Sequence, residues 1–191
     1  EGKGMVLFCQ MDVTGRTEAD PAADRLKSNI LSYVKAWTPG MKKQAVYTGD
    51  PYGKAYLEKS GFKVIPLQSK KLTTGQLLIV GPGSSKTSLP EGKALLKWIK
   101  KGGKVLAVGL NQEDVSSLLP VSVKMRTEEH IASYFESPGI KSVFAGIGSA
   151  DVHNRAPINI PLVSEGARTI GNGVLASTEN TDMVFCQLVP W

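Results

Sequence analysis

Two cysteines and two histidines are few for a chain of 191 residues. A zinc site draws about four Cys, His or carboxylate ligands together through short spacings. Cys9 and Cys186 stand near opposite ends, and His130 and His153 add little, so neither a metal nor a cofactor is expected. Each cysteine sits in an apolar run, Val6-Leu7-Phe8-Cys9-Gln10 and Met183-Val184-Phe185-Cys186-Gln187. Buried thiols are the plain expectation, with a disulfide left open if the two runs are neighbouring strands. No apolar stretch nears the roughly 20 residues that cross a bilayer, so no membrane partner is expected. A secretory signal pattern is also missing: the chain opens Glu1-Gly2-Lys3-Gly4 and goes straight into an apolar run. An opening without methionine and a strand-like close over Met183 to Trp191 suggest a piece of something longer. The compartment cannot be read from such ends.

Aromatic residues make up only 7% of the chain. They do not interleave with the basic residues, as single-strand nucleic-acid binding would need. The net charge of +6 is spread out: Lys42-Lys43, Lys70-Lys71 and Lys100-Lys101 fall at separate element ends. Lys93, Lys97, Lys100 and Lys101 share one face of a predicted helix. A solvated lysine face is expected there, and no nucleic-acid partner.

What the chain does have is alternation of strand and helix signals. Met5 to Met11 is nearly all apolar, the pattern of a strand covered on both faces. Asp20-Pro21 can cap and open a helix, with Ala23, Leu26, Ile30, Val34 and Trp37 at helical spacing and a stop at Pro39-Gly40. Further strands are predicted at Gln44 to Thr48, Phe62 to Leu67, Gln76 to Val80 and Lys104 to Val108. Helices are predicted over Pro51 to Ser60, with Gly61 closing it, after the capping box Ser88-Leu89-Pro90-Glu91, and over Asn111 to Leu119. Such spacing implies right-handed crossovers and a mainly parallel sheet with helices on both faces. After Pro120 the pattern loosens. Val121 to Met125 reads as an edge strand and Thr127 to Phe135 as a helix. Val143 to Ile147, Ile158 to Val163, Val174 to Ser177 and Met183 to Val189 read as short strands, the last returning to the main sheet. The length fits a single α/β domain with an irregular β-rich C-terminal part. The Phe-Cys-Gln echo at the two ends is not a solenoid repeat.

Several chemistries can be weighed. Gly81-Pro82-Gly83-Ser84-Ser85-Lys86-Thr87 lies between strand and helix, but a phosphate loop needs glycine before the lysine, where Ser85 stands. A plain connecting loop is expected. Gly146-Ile147-Gly148 lacks the third glycine of a dinucleotide fingerprint. The loop holding Asp12, Thr14 and Arg16 follows a predicted strand and precedes a helix, the place where open sheets hold ligands. Its hydroxyls, its guanidinium and the helix dipole suit an anion or sugar hydroxyls. An ordinary polar loop is the alternative. Asp151, His153 and Arg155, two residues apart, would face one way on an extended segment and could hold a polar ligand or do acid–base work. A hydrogen-bonded loop is the alternative there.

The strand Leu77-Leu78-Ile79-Val80-Gly81, the run Leu95-Leu96-Lys97-Trp98-Ile99 and the strand Gly102-Gly103-Lys104-Val105-Leu106-Ala107-Val108 resemble class I glutamine amidotransferase-like domains, which are flavodoxin-like α/β folds. Active members present a cysteine at the bend after that last strand, in a Gly-x-Cys-x-Gly setting. Here the bend reads Ala107-Val108-Gly109-Leu110-Asn111, which puts Gly109 or Leu110 at the nucleophile position and leaves it vacant. The family's His-x-Glu is absent too, since Asn154 and Arg155 follow His153. More of the chain resembles amidotransferase-like modules within large bacterial beta-galactosidase-like or family 2-like glycoside hydrolases. That likeness rests on Gly4 to Asp12, Thr14-Gly15-Arg16, Asp20-Pro21-Ala22-Ala23, Gly146 to Arg155 and Val184 to Trp191.

In those relatives the module is accessory and the glycosidase carboxylates lie elsewhere. The resemblance therefore implies a non-catalytic structural or interaction module, excised from a longer multidomain chain. Its partners would be sibling domains, with carbohydrate and a homo-oligomer left open, and its setting extracytoplasmic. Two alternatives stay open. One is a carbohydrate or small polar ligand-binding module using Arg16, Asp151, His153 and Arg155. The other is a cryptic hydrolase built on Asp12, Asp151 and His153.

Overall fold

The computed structural model describes residues 5–10, 20–38, 43–67, 71–85, 89–180 and 182–191. The chain forms two compact units, Glu1–Lys42 and Lys43–Trp191. In the first, helix α1 runs from Pro21 to Ala36. The Asp20 carboxylate accepts from Ala22 N at 2.9 Å and Ala23 N at 3.4 Å, and Pro21 fills the first turn without losing a bond. Residues 5–10 form no strand, contrary to the expectation for Met5 to Met11; Met11 itself and the predicted helix stop at Pro39-Gly40 lie outside the described residues. Apolar composition favours a strand, but only pairing with a neighbour makes one.

The second unit is built on a seven-stranded sheet. Its strands are β1 (Gln44–Thr48), β2 (Val64–Ile65), β3 (Gln76–Val80), β4 (Lys104–Val108), β7 (Arg168–Ile170), β8 (Leu175–Ser177) and β9 (Met183–Cys186). They lie in the order β2-β1-β3-β4-β9-β8-β7. The first five are parallel, and β8 and β7 add antiparallel to β9. A separate antiparallel pair joins β5 (Lys124–His130) to β6 (Ile158–Glu165). Helices α2 (Pro51–Lys59), α3 (Gly92–Lys100) and α4 (Gln112–Leu118) complete the unit.

Strand alternation sorts the core into two faces. Val46, Leu78, Val80, Val105, Ala107, Met183 and Phe185 pack against Leu95, Trp98 and Ile99 of α3 and Val115 and Leu118 of α4. Tyr47, Ile79 and Val108 face the other way, onto Leu57 of α2 and Trp191. Val184, Cys186 and Leu188 join a third cluster with Phe144, Val152 and Leu162. Helices thus cover both faces of a mostly parallel sheet. The lysines of α3, Lys93, Lys97 and Lys100, are exposed, as the lysine-face expectation requires.

Several boundaries differ from expectation. Helix α3 starts at Gly92 with Glu91 as N-cap and no side-chain capping bond. The first turn forms because Leu95 N donates to Glu91 O at 2.9 Å, which leaves buried Leu89 and Pro90 ahead of the helix; Ser88 lies outside the described residues. The strand expected over Phe62 to Leu67 shrinks to Val64–Ile65. The helix expected over Thr127 to Phe135 is strand as far as His130, because β6 offers a full antiparallel register from Lys124↔Glu165 to His130↔Ile158. Cross-strand pairing there overrides the local pattern. Val143 to Ile147 turns rather than extends, and buried Phe144 anchors the turn. β9 does return to the main sheet, beside β4.

Phe185 is completely buried at the centre of this sheet. Phe185→Ala should cost about 3–5 kcal/mol in urea unfolding, whereas Tyr134→Ala, at a residue 90% exposed, should stay within about 0.5 kcal/mol of the parent.

Candidate functional site

In an open sheet, ligands gather at the carboxyl ends of parallel strands where the winding direction reverses. Here β1 connects through α2 to β2 on one side, while β3 and β4 lie on the other. The reversal falls between β1 and β3. Backbone hydrogen bonds close that crevice: Gly81 N donates to Thr48 O at 2.8 Å and Asp50 N to Pro82 O at 2.7 Å. The Ser84 hydroxyl donates to Thr48 O at 2.9 Å or Gly81 O at 2.8 Å. The glycine–serine loop is therefore occupied with its own backbone, and α3 opens only at Gly92. Lys86 and Thr87 lie outside the described residues.

The N-terminus of α2 faces the same edge. Its anion-seeking amides are met from within: Asp50 Oδ1 accepts from Gly53 N at 2.7 Å. Asp50 Oδ2 accepts from Trp191 Nε1 at 3.3 Å. The Trp191 ring lies edge-on to Tyr47, 6.4 Å between centroids, and tilted against Tyr56 at 5.8 Å. A segment from Gln187 to Trp191 thus crosses from β9 to the carboxyl ends of β4 and β1.

Beneath Trp191, the Tyr47 hydroxyl is buried and meets no hydrogen-bond partner among the described residues. A Cβ placed on Gly49, Gly53 or Gly81 would overlap that hydroxyl, so the three glycines make room for the phenol. Burial first, and the Asp50 carboxylate second, push the Tyr47 pKa from 10.0 to about 12.

The bend after β4 completes the edge. Gly109 has φ +59 and its N–H donates to Cys186 O at 2.8 Å. A Cβ there would drive into Val189 Cγ2. Leu110 is completely buried in the α3/α4 core. Neither residue can attack a carbonyl. Cys186, paired with Val108 in the sheet, carries the thiol closest to the bend in register. Burial raises its pKa and outweighs the opposing, lowering effect of the backbone contact at Leu188, where Sγ lies 3.6 Å from the carbonyl oxygen, so the thiolate is disfavoured.

The sequence-predicted residues do not gather at this edge. Asp12, Thr14 and Arg16 lie outside the described residues. Asp151 sits in a single 3-10 turn, Ser149–Val152, where Oδ2 accepts from Gly148 N at 2.8 Å. The expected extended face of Asp151, His153 and Arg155 is therefore not formed, because capping the turn takes the Asp151 side chain. His153 and Arg155 are exposed. His130 is buried with Nε2 2.7 Å from Val152 O, which commits its ring to the β5 region. Both cysteines are thiols; Cys9 is exposed and Cys186 half-buried, so the buried-thiol expectation does not hold for Cys9. Among the described residues no group of three or more His, Cys, Asp or Glu could hold a metal, and no helix is long and apolar enough to cross a membrane.

Tyr47, Asp50 and Trp191 were not singled out by sequence pattern. The one signal was indirect: Gly49, Gly53 and Gly81 cluster around a tyrosine at the end of a strand. At the opposite, amino edge of the sheet lie two clefts of about 660 and about 400 Å³, which share Arg168, Thr178 and Glu179. No protein-family model matches this sequence, and no curated protein matches it.

Tyr47→Phe should leave stability at neutral pH within about 1 kcal/mol of the parent, because the hydroxyl makes no bond to lose. The neutral phenol is favoured by the fold, so its contribution is complete below pH 10 and is lost as pH rises through about 12. Chemical unfolding from pH 9 to 12 should show a steeper alkaline loss in the parent than in Tyr47→Phe.

Proposed function

We propose that the chain is a non-catalytic structural or interaction module of a carbohydrate-active glycoside hydrolase, on a flavodoxin-like, amidotransferase-like frame with its nucleophile position vacant. The observation that carries this reading is the filled bend: Val189 occupies the space a side chain at Gly109 would need. The strand order 2-1-3-4 with a fifth parallel strand fits the flavodoxin-like pattern. Trp191 and Asp50 cover the crevice where such frames hold ligands. The link to a glycoside hydrolase rests on the sequence resemblance, and sibling domains are the partners it names.

The test is turnover by the 191-residue chain of glutamine and of chromogenic galactosides. Rates should equal those of buffer. Turnover lost in Asp151→Asn or His153→Ala would overturn the reading in favour of a hydrolase. Gly109→Cys should not restore amidase activity. It should also destabilise by at least about 1 kcal/mol, since the left-handed backbone alone costs that much for a residue with a Cβ. Adding Val189→Ala should recover part of the loss in thermal unfolding.

A second reading, a small polar ligand module, is favoured by the two clefts at the amino edge, which put Arg168 and Glu179 with Thr178 on a shared wall. Saturable heat with oligosaccharides in calorimetry, abolished by Arg168→Ala, would move the assignment there.

A further inference from the structure

We infer that residues 6–10 belong to the closing parallel strand of another copy of this fold, encoded ahead of this unit in the same polypeptide. The inference does not depend on the functional reading above.

It begins with a side-chain order that occurs twice. Val6-Leu7-Phe8-Cys9-Gln10-Met11 matches Met183-Val184-Phe185-Cys186-Gln187-Leu188 with three identities, and the other three positions exchange one apolar residue for another. A match of six residues is short, so its weight lies in what the second copy does. There every position has a separate task. Met183 and Phe185 enter the α3/α4 core. Val184, Cys186 and Leu188 enter the cluster on the opposite face. Gln187 is 1% exposed; its backbone N–H donates to Val174 O at 2.8 Å, tying the end of β9 to the start of β8, while its side-chain amide meets no hydrogen-bond partner among the described residues. A strand with apolar side chains on both faces is thus what one slot requires: parallel beside β4, antiparallel beside β8, covered above and below.

The first copy carries the same specification without the slot. Val6 is 63%, Leu7 40% and Phe8 89% exposed, and residues 5–10 form no strand. Exposing three such consecutive side chains forgoes the hydrophobic stabilisation that burial of each would contribute. Within the seven-stranded sheet the matching slot is already filled by β9. The partner that fits residues 6–10 is therefore the β4-type strand of a homologous sheet, not a generic apolar surface. In this light α1, capped by Asp20, is the connection from the closing strand of one copy to β1 of the next.

Three measurements test this, and an adverse result in any one overturns it. In the 191-residue chain, residues 183–188 are replaced by Val-Leu-Phe-Cys-Gln-Met. The graft should unfold cooperatively with a midpoint within about 4 °C of the parent, whereas a scramble of the same six residues should lose about 10 °C or more, or fail to fold. A graft as damaged as the scramble would show that residues 6–11 do not meet the slot's demands. The second measurement is the sequence of the intact parent polypeptide ahead of residue 1. A strand of the Gly-Gly-Lys-Val-Leu-Ala-Val-Gly type should precede residue 6 by about the interval that separates Lys104 from Met183. Its absence would sink the inference even if the graft folds. Light scattering covers the rival occupant: a dimer of the chain that dissociates on Phe8→Asp would put the strand in a second copy of this chain and overturn the assignment.

Discussion

The parallel pairing of β4 with β9 is the contact on which the second unit depends. It joins two strand groups far apart in sequence, with Val105 in register with Met183 and Val108 with Cys186. Without it, β8 and β7 would have no sheet to extend. Val105 N donates to Asp182 O at 2.9 Å before the register begins, and Gly109 N donates to Cys186 O at 2.8 Å after it ends. The Lys104–Asp182 ion pair at 2.7 Å adds little at a half-exposed position. The weight is carried by burial: Met183 and Phe185 on one face, Val184 and Cys186 on the other, fill space that helices and loops alone would leave empty.

The same pairing determines what the carboxyl edge can be. β9 delivers residues 187–191 onto the ends of β4 and β1, so the crevice at the strand-order reversal is closed from above by Val189 and Trp191. It is also closed from within, by the bonds linking Thr48, Asp50, Gly81 and Pro82. The covering has an electrostatic consequence. Asp50 meets the Gly53 amide in the first turn of α2 and places its own negative charge where a bound anion would sit. Tyr47 is held neutral in a glycine-lined space under the Trp191 ring. An edge arranged in this way favours a fixed segment over an exchanging ligand.

Much of the parallel sheet was legible because strands buried on both faces must be apolar throughout. Gln76–Val80 and Lys104–Val108 show this, as does the return of Met183–Cys186. The side-chain cap of α1 by Asp20 was legible too, whereas the Asn111–Asp114 box of α4 was not singled out and the cap expected ahead of α3 gives way to Glu91 with no side-chain bond. β5 was not, because Arg126-Thr127-Glu128-Glu129-His130 has no apolar alternation and is specified by its pairing with β6. That Gly109 and Leu110 bring no nucleophile to the bend after β4 could be read from the sequence. The filling of that bend by Val189 could not, nor could the bond from Trp191 to Asp50, 141 residues away, because long-range contacts leave no trace in local pattern. At Asp151 the ambiguity was local: acid–base chemistry and turn capping draw on the same residue types, and the bond from Gly148 N, three residues away, fits the hydrogen-bonded loop that the sequence also allowed.

The two Phe-Cys-Gln segments bring these points together. Nearly the same side-chain order is a fully engaged strand at Met183–Cys186 and lies outside any strand at residues 5–10. Intrinsic preference cannot account for that difference, since it is the same in both places. The difference lies in the neighbours: β4 and β8 present unpaired backbone on either side of β9, with apolar clusters above and below it. Strand formation is thus a property of the slot, and sequence records which slot a segment is shaped for. An apolar segment that matches an engaged strand, yet lies exposed and unpaired with any strand among the described residues, lacks the neighbours that make a strand rather than the preference for one.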